Sequence, residues 1–474
     1  MDPNMKISLD AIFSPKSVAV IGARDRRGTF GYNALAGMRG MGYGKGLFPV
    51  NPKQDEVQGL RAYKNLAEIP EEVDMAVIVV QAKTVPNVIQ DCIDKGIKGG
   101  IMITAGFAEL GEEGAELQGK IVETSKAANF NFIGPNCMGV RSTEGKVSTM
   151  GMRHGEFSRV GPVSFISQSG TLGGYFFEAA GKNGFDTNKF ISCGNQASIN
   201  FTDLLEYLGE DDTTKVIAGY MEGMQDGRRF LEVAKKVSAK KPVLLFKAGS
   251  SEASARAASS HTASMASNDD IFDSVCRQAG VLRFRDFNEM FDLAGALCYS
   301  PIPKGNRVAI VSGGGGFCVT TAEACAERGL DLPVLDADTQ GELKKLMDPY
   351  APAPVNPVDC IGVTGIDDFY KVIETAAQQD YIDSLIVMPW GTRVNPYIDP
   401  DELIKYIETA KKVSEIPEKY GKPVILSGRR EGMIGPIYDL YRKNHIPFQN
   451  SPVDCATMVA GLVKYGQVHG NISD

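Results

Sequence analysis

A single histidine stands in a segment composed almost entirely of small residues. The segment 249–268 reads GSSEASARAASSHTASMASN, with His261 near its centre. Because serine and alanine offer little apolar surface, the segment cannot form part of a core. It predicts a loop in which a histidine has no packing role. A neutral imidazole is nucleophilic near pH 7 and can carry a phosphoryl group. His261 is therefore the first candidate for a reactive residue.

A carboxylate that could orient this imidazole follows a strand-like segment. Residues 218–223 read AGYMEG and end in Glu222 and a glycine. A carboxylate bound to one ring nitrogen fixes the tautomer and stabilises a cationic phosphohistidine. A helix cap or a solvent-facing glutamate would have the same local sequence, so both alternatives remain open at this point.

Small and hydroxyl-bearing residues begin a predicted helix after another strand-like segment. Residues 167–171 read SQSGT. Ser169, Gly170 and Thr171 would place hydroxyl and backbone N–H donors at the helix N-terminus, an arrangement typical of anion sites. An ordinary helix cap is the alternative. The GxSxG motif of α/β-hydrolases is not present in this segment.

A glycine-containing loop near the N-terminus indicates a nucleotide site. Residues 17–31 read SVAVIGARDRRGTFG, so that a buried strand ends at Gly22 and Gly28 lies in the loop before a helix. Such a loop lets backbone approach a phosphate, although the spacing departs from GxGxxG and a plain tight turn is the alternative. The next strand ends in FPVNPK, with Lys53 where NAD-binding domains usually have an acidic residue. Lys53 favours a 3′-phosphorylated nucleotide such as CoA, unless it is simply solvated.

The elements that must position these residues are short apolar strands alternating with helices. The strand-like segments are 17–22, 75–80, 100–104, 163–167, 242–247, 307–312, 384–389 and 423–427. Each is apolar on both faces, which is typical of buried parallel strands in α/β proteins. The pattern restarts at 159–174 and at 305–316. We predict three doubly wound α/β domains with mostly parallel sheets, Rossmann-like or flavodoxin-like, over 1–150, 151–300 and 301–474.

Composition narrows the class of protein further. The 474 residues include 43% hydrophobic and 23% charged residues, as in ordinary globular proteins, and carry a formal net charge of -8 without a Lys/Arg-rich block. These features argue against nucleic acid as a partner. No apolar segment reaches membrane-spanning length and no signal peptide is evident, which predicts a cytoplasmic protein without membrane contact. The nine cysteines form no CxxC pair, and with four histidines they predict no metal site.

Seven segments, in order, resemble the nucleoside-diphosphate-forming acyl-CoA synthetases and, more distantly, the succinyl-CoA synthetase α subunit. They are GARDRRGTFG (22–31), FPVNPK (48–53), ITAGFAE (103–109), IGPNCMGV (133–140), SQSGT (167–171), AGYMEG (218–223) and SSHTAS (259–264). The segment 356–362, NPVDCIG, resembles the ligase-CoA domain of the same family. Seven motifs in one order are far more specific than any one of them.

The resemblance implies a role for each domain and for individual residues. The first domain would bind CoA, the second would carry the phosphohistidine loop of a succinyl-CoA-synthetase-like domain, and the third would be a flavodoxin-like ligase-CoA domain. Gly22, Ala23 and Gly28 would face the CoA phosphates, Pro52 and Lys53 its nucleotide end, Ala105 and Gly106 its thioester end, and Asn136 and Cys137 the acyl site. Ser169, Gly170 and Thr171 would bind phosphate, Glu222 would orient the imidazole and His261 would carry the phosphoryl group. Nothing around Cys137 indicates a nucleophile, and a buried structural cysteine is an alternative for it.

The implied activity is that of the α subunit of an ADP-forming acid–CoA ligase. Such a subunit joins a small carboxylic acid to CoA through an acyl phosphate and phospho-His261. No ATP-grasp region is recognised, so ATP, ADP and Mg²⁺ would bind through a separate ATP-grasp β subunit, in an α₂β₂ assembly. An NAD-dependent dehydrogenase would explain the first domain only. A CoA-binding regulatory protein would not need His261, and a CoA transferase or acyltransferase would use Glu222 covalently.

Overall fold

Mostly parallel sheets flanked by helices make up the protein. The structure is a computed structural model that describes residues 1–151, 159–249, 269–363, 365–389, 399–428 and 434–470. The chain forms two compact units. The first comprises Met1–Gly181 and Asp186–Phe287, and the second comprises Lys182–Phe185 and Asn288–Asp474.

The first sheet of the first unit is parallel and five-stranded, in the order β2-β1-β5-β6-β7. Its strands are β1 (Ser17–Ile21), β2 (Gly46–Val50), β5 (Met75–Ile78), β6 (Gly99–Met102) and β7 (Asn131–Ile133), and a small hairpin of β3 (Glu56–Val57) and β4 (Leu60–Arg61) follows β2. The helices of this part are α1 (Pro3–Phe13), α2 (Phe30–Gly40), α3 (Val85–Asp94) and α4 (Glu112–Ala127). In β1, Val18 and Val20 pack into one apolar cluster, whereas Ala19 and Ile21 pack into another. Burial on both faces explains why the strand is apolar throughout.

The second sheet of the first unit has the order β14-β13-β12-β10-β11-β8-β9. Its strands are β8 (Val140–Ser142), β9 (Val147–Ser148), β10 (Val163–Ser167), β11 (Thr187–Ser192), β12 (Val216–Met221), β13 (Val243–Lys247) and β14 (Leu282–Phe284). The helices are α5 (Leu172–Asn183), α6 (Phe201–Glu210), α7 (Gly227–Ser238) and α8 (Asp269–Ala279). β8 and β9 are antiparallel additions at the edge next to β11. One apolar cluster contains residues of both sheets, from Leu9 to Val281, which makes this unit a single packed body.

The sheet of the second unit is parallel, in the order β16-β15-β17-β18-β19. Its strands are β15 (Val308–Ser312), β16 (Val358–Asp359), β17 (Ser384–Met388), β18 (Val424–Ser427) and β19 (Phe448–Gln449). The helices are α9 (Phe287–Tyr299), α10 (Gly315–Glu327), α11 (Ala337–Lys344), α12 (Ile366–Gln378), α13 (Pro400–Tyr420), α14 (Gly435–Lys443) and α15 (Pro452–Val468). α13 ends at Gly421, whose φ of 65° is the left-handed C-cap that glycine favours.

The parallel strands of all three sheets share one topology. Numbered in chain order within each sheet, five parallel strands lie in the spatial order 2-1-3-4-5. This is the flavodoxin-like order, in which ligands bind beside the carboxyl ends of strands 1 and 3. The predicted α/β class with doubly wound, mostly parallel sheets is confirmed. The division into three domains stays a prediction, next to the two compact units of the structure.

None of the described helices combines the length and the apolar character needed to cross a membrane.

Candidate active site

A cavity of about 770 Å³ lies at the carboxyl ends of β1, β2 and β5, the switch point of the first sheet. Three predicted residues line it: Gly22, Pro52 and Lys53. The cationic side chains Arg24, Arg26 and Lys64 line it as well. An open cavity with several cations at a switch point is suited to a phosphorylated nucleotide.

The backbone around Gly22 explains why a glycine stands at the end of β1. Gly22 has a φ of 91°, and its N–H donates to the Val50 carbonyl at 3.0 Å. A Cβ at this position would lie 2.1 Å from the Val79 carbonyl oxygen, so no larger residue fits between the ends of β2 and β5. Ala23 next to it is fully buried, and Gly28, with a φ of 80°, lies further along the same loop.

The loop after β6 lies beside this cavity. The Thr104 hydroxyl donates to the Val80 carbonyl at 2.9 Å, and a Cβ on Gly106 would approach Ala82 within 3.0 Å. Glu109 shapes the loop, since its Oε1 accepts the Gly106 N–H at 2.6 Å. Burial raises the pKa of Glu109, but its hydrogen bonds with Asn195 and backbone N–H groups outweigh burial and hold the pKa below its usual range. Glu109 is therefore a fixed anion that folds the predicted thioester-end loop, with Ala105 exposed on it.

Asn195 joins this loop to the segment after β7. Its Nδ2 donates to Glu109 Oε2 at 2.6 Å, and its Oδ1 accepts from Asn136 Nδ2 at 3.2 Å. Asn136 itself has a positive φ of 56°. Two predicted site segments, ITAGFAE and IGPNCMGV, are thus held together through a residue on a third loop.

Cys137 is a buried thiol that donates to the Met102 carbonyl at 3.3 Å. Burial raises its pKa to about 12, which disfavours the thiolate that a nucleophilic cysteine needs. This geometry favours the structural alternative left open above. The assignment of Cys137 to the acyl site stays a prediction.

The segment after β7 also meets the SQSGT turn. The Met138 N–H donates to Ser192 Oγ at 3.1 Å, and the Cys193 N–H donates to the Ser167 carbonyl at 2.8 Å. A Cβ on Gly170 would lie 2.1 Å from Met138 Cγ, so only glycine lets the turn approach this closely. The predicted CoA thioester end and the predicted phosphate site are therefore neighbours within one compact unit.

Ser169, Gly170 and Thr171 lie directly before α5. Ser169 and Gly170 are half-buried and Thr171 is exposed. The hydroxyls of Ser169 and Thr171 lie 3.1 Å apart within hydrogen-bonding distance, and the Ser169 N–H donates to Ser167 Oγ at 3.1 Å. Two hydroxyls at the positive end of a helix can donate together to one anion.

Glu222 lies beside this turn, just after β12, and only 5% of it is exposed. Its Oε1 accepts the Tyr220 hydroxyl at 3.0 Å. Its Oε2 is buried and receives no hydrogen bond within the described part of the chain. A buried carboxylate oxygen without a donor is costly, and such groups in native proteins point to a missing ligand or a functional role.

His261 lies outside the described residues. The segment that carries it follows β13, and the last residues described before it are Ala248 and Gly249. The Ala248 N–H donates to the Met221 carbonyl at 2.9 Å, so the chain leaves the sheet next to Glu222.

Comparison with known proteins decides the family. The α subunit of ADP-forming acetate–CoA ligase II of Pyrococcus furiosus is 40% identical over 96% of this chain and 97% of its own length. The α subunit of ligase I from the same organism is 38% identical over 97% and 98%. The chain belongs to the ADP-forming acyl-CoA synthetase family. The resemblance stated from the sequence is thereby confirmed.

Further comparisons also match most of the length of this acyl-CoA synthetase chain. Three family models match in succession: a CoA binding domain at 16–143, a succinyl-CoA ligase like flavodoxin domain at 160–297 and a ligase-CoA domain at 308–435. A dinucleotide forming acetyl-coenzyme A synthetase 1 of Candidatus Korarchaeum cryptofilum, solved with phosphate and ADP, superposes with a TM-score of 0.86 at 30% identity, covering 98% of both chains.

In this acyl-CoA synthetase chain the structure brings together most of the predicted site. Gly22, Pro52 and Lys53 share the cavity, and the segment containing Asn136 and Cys137 meets Gly170. Sequence reasoning missed Gln168, Tyr220 and Asn195. Gln168 and Tyr220 lie inside quoted motifs but carry no reactive group, and Asn195 lies in a segment without a recognisable motif. The individual roles of the predicted residues stay predictions.

Proposed function

We propose that this chain is the CoA-binding, phosphohistidine-carrying α subunit of an ADP-forming acid–CoA ligase. The observation that carries the proposal is the buried Oε2 of Glu222, which receives no hydrogen bond from the described residues. Gln168 joins the segment of Glu222 to the turn that contains Ser169 and Thr171. Full-length similarity to ADP-forming acetate–CoA ligase α subunits supports it.

The cavity of the first sheet fits the nucleotide part of CoA. Arg24, Arg26 and Lys53 would supply positive charge for a diphosphate and a 3′-phosphate, and the Gly22 turn admits close backbone approach. Lys64 also lines the cavity, but its ammonium is paired with Asp55 at 2.6 Å. The loops containing Gly106 and Asn136 would lead the thiol end of CoA toward Gly170. CoA bound there supplies the thiol that forms the thioester.

The residues around Glu222 would handle the phosphoryl group. Ser169 and Thr171, with the N-terminus of α5, would hold the phosphate. An imidazole N–H of His261 would donate to Glu222 Oε2, which leaves the other ring nitrogen as the nucleophile. That nitrogen forms a bond to phosphorus as the bond from phosphorus to the acyl oxygen breaks, and the carboxylate leaves. Glu222 would stabilise the positive charge that the ring acquires.

In this proposal, the site for ATP and ADP belongs to a different subunit. ATP, ADP and Mg²⁺ would bind to an ATP-grasp partner subunit, which receives the phosphoryl group from His261, in an α₂β₂ assembly. The α-subunit names of the relatives support the need for a partner. The relatives include acetate–CoA and 4-hydroxybutyrate–CoA ligases, so the experiment compares several acyl groups.

The acyl half of the reaction tests the proposal without the partner. The chain is incubated with radiolabelled inorganic phosphate and acetyl-CoA, or with 4-hydroxybutyryl-, branched-chain or aryl acyl-CoA. We expect an acid-labile phosphate adduct in the wild type and none in His261→Ala. CoA binding is measured in parallel by calorimetry. Tight CoA binding without an adduct for any acyl-CoA would instead support a CoA-binding regulatory protein.

A further inference from the structure

Gln168 connects the SQSGT turn to the Glu222 segment through its side-chain amide. Its Oε1 accepts the N–H groups of Glu222 at 2.6 Å and Gly223 at 3.0 Å, and its Nε2 donates to the Gly223 carbonyl at 2.7 Å. Its own backbone N–H donates to the Tyr220 carbonyl at 3.2 Å. Gln168 is 7% exposed, so these bonds form in a shielded environment, where losing them is expensive.

The Gln168 side chain lies at the point where the pairing of β10 with β12 ends. The last paired residues of β10 and β12 are Ser167 and Tyr220. Gln168 is the next residue on one side, and Glu222 lies two residues beyond Tyr220 on the other. Past this pair, the described residues show no further pairing between β10 and β12. There the side chain of Gln168 joins the two segments, in addition to its backbone N–H bond to the Tyr220 carbonyl.

Tyr220 restrains the carboxylate itself. Successive residues of a strand point to opposite faces, so Tyr220 and Glu222 lie on the same side, and the phenol reaches Glu222 Oε1 at 3.0 Å. The ring of Tyr220 packs against Phe246 and Phe287, with centroids 5.9 and 5.7 Å away, which limits its movement. Burial, followed by the nearby Glu222 charge, raises the pKa of Tyr220 above its usual range, so the hydroxyl remains a donor.

We infer that Gln168 and Tyr220 are positioning residues for phosphoryl transfer. Gln168 fixes the Glu222 backbone against the phosphate turn. Tyr220 donates to Oε1, so that Oε2, which has no donor among the described residues, would receive the imidazole N–H. This inference rests on the proposed function of Glu222 and His261. It adds that Gln168 and Tyr220 would act on the phosphoryl-carrying histidine through Glu222, by fixing the position of its carboxylate.

The test uses Gln168→Met, which keeps the chain length but removes every side-chain hydrogen bond, and Tyr220→Phe, which removes only the hydroxyl. The rate of phosphate incorporation from inorganic phosphate and the best acyl-CoA is measured. We expect each variant to slow incorporation by about tenfold to a hundredfold, the size typical of hydrogen bonds that orient a reactive group. Affinity for CoA, measured by calorimetry, should remain that of the wild type.

Two matched control variants remove the same chemical groups, a phenol hydroxyl and a side-chain amide, at exposed positions. Tyr175→Phe removes a phenol hydroxyl from an exposed tyrosine of α5, and Gln225→Met removes an exposed amide whose Nε2 donates to the Gln196 carbonyl. Neither control should change the rate.

Double variants separate positioning from a general structural effect. Once Glu222→Gln has removed the carboxylate charge, adding Gln168→Met or Tyr220→Phe should slow incorporation little further, because there is no longer an oriented carboxylate to lose. Rate losses that multiply independently would overturn the inference, as would wild-type rates in both single variants. If the wild-type chain takes up no phosphate on His261, the proposed function itself fails, and the inference fails with it.

Discussion

Lys53 is the residue that we expect to distinguish CoA from other nucleotides at the first sheet. It follows β2 at the rim of the cavity and is exposed, in the place where a ribose-binding acid would favour NAD. A lysine attracts a phosphate mainly as a point charge, and the 3′-phosphate is the group that CoA has and dephospho-CoA lacks. The affinity for this one phosphate should therefore depend on Lys53.

We expect Lys53→Ala to weaken CoA binding about tenfold, as for one charge-assisted hydrogen bond at an exposed site. Binding of 3′-dephospho-CoA should hardly change. Calorimetry with both ligands measures the difference, and Lys120→Ala, an exposed lysine of α4, is the matched control. Equal losses for the two ligands would place the 3′-phosphate elsewhere.

Gly22 and Gly28 differ in what a side chain would meet, although both have a positive φ. A Cβ on Gly22 would lie 2.1 Å from the Val79 carbonyl oxygen, whereas a Cβ on Gly28 would have no atom within 4 Å among the described residues. Gly28→Ala should lower the free energy of unfolding by about 1 kcal/mol, because an alanine at this positive φ strains the backbone. Gly22→Ala should lower the free energy of unfolding by clearly more, because the end of the strand must move to make room for the Cβ. The same movement should lower the affinity for CoA. Urea unfolding, monitored by circular dichroism, gives the free energy of unfolding of both variants. Equal losses would show that the Gly22 turn can accommodate a Cβ with little strain.

At the scale of elements, a buried ion pair joins β11 of the second sheet to the loop after α6. Lys189 of β11 is 2% exposed, and its Nζ donates to Asp211 Oδ2 at 2.7 Å. Burial raises the pKa of Asp211, but hydrogen bonds from Lys189 and Thr214 outweigh burial and hold the pKa below its usual range. A lowered pKa means that this carboxylate stabilises the fold above about pH 4 and loses that contribution as the pH falls through its folded pKa.

We expect Asp211→Ala to destabilise the first unit by about 3–5 kcal/mol at pH 7, because Lys189 then remains buried without its main partner. The variant should also lose less stability than the wild type between pH 5 and pH 3. Adding Lys189→Met should recover much of the loss at pH 7. Urea midpoints across pH measure both effects. A double variant as unstable as Asp211→Ala would contradict this interpretation.

The antiparallel strands β8 and β9, which extend the sheet next to β11, could not be predicted from the sequence. The eight strand-like segments all correspond to parallel strands, because burial on both faces leaves an apolar signature. β8 and β9 left none, because Arg141, Ser142 and Ser148 are buried yet polar. The hydroxyls of the two serines bond locally, with the Gly145 N–H and the Met150 carbonyl. At the site, Glu222 could be predicted from its chemistry, whereas Gln168 acts only through backbone groups 54 and 55 residues away.

At the scale of the molecule, both predicted sites of the first unit follow from one repeated topology. The cavity predicted to bind CoA lies at the switch point between β1 and β5, and Gln168 and Glu222 lie at the switch point between β10 and β12. The loops after β6 and β7 connect the two points through Asn195 and Met138. An extended ligand such as CoA can therefore have its nucleotide end on one sheet and its thiol end at the other.

The first unit should be sufficient for CoA binding. The cavity, the first sheet and the second sheet all lie within Met1–Gly181 and Asp186–Phe287. A fragment of residues 1–287 should therefore fold and bind CoA as the full chain does. Residues 182–185 belong to the second unit of the full chain, so the fragment removes the partners of this short segment.

A fragment of residues 1–151 is the informative contrast. It keeps the whole cavity but leaves β8 without β11, and it exposes the face of the first sheet whose apolar cluster continues into β10, β11 and β12. Exposed strand edges and apolar faces promote aggregation, so this shorter fragment should be insoluble or molten although its sheet is complete. Circular dichroism, gel filtration and CoA calorimetry compare the two fragments. A stable, CoA-binding 1–151 fragment would show that the two sheets of the first unit fold independently, and the shared core would then contribute little to the site.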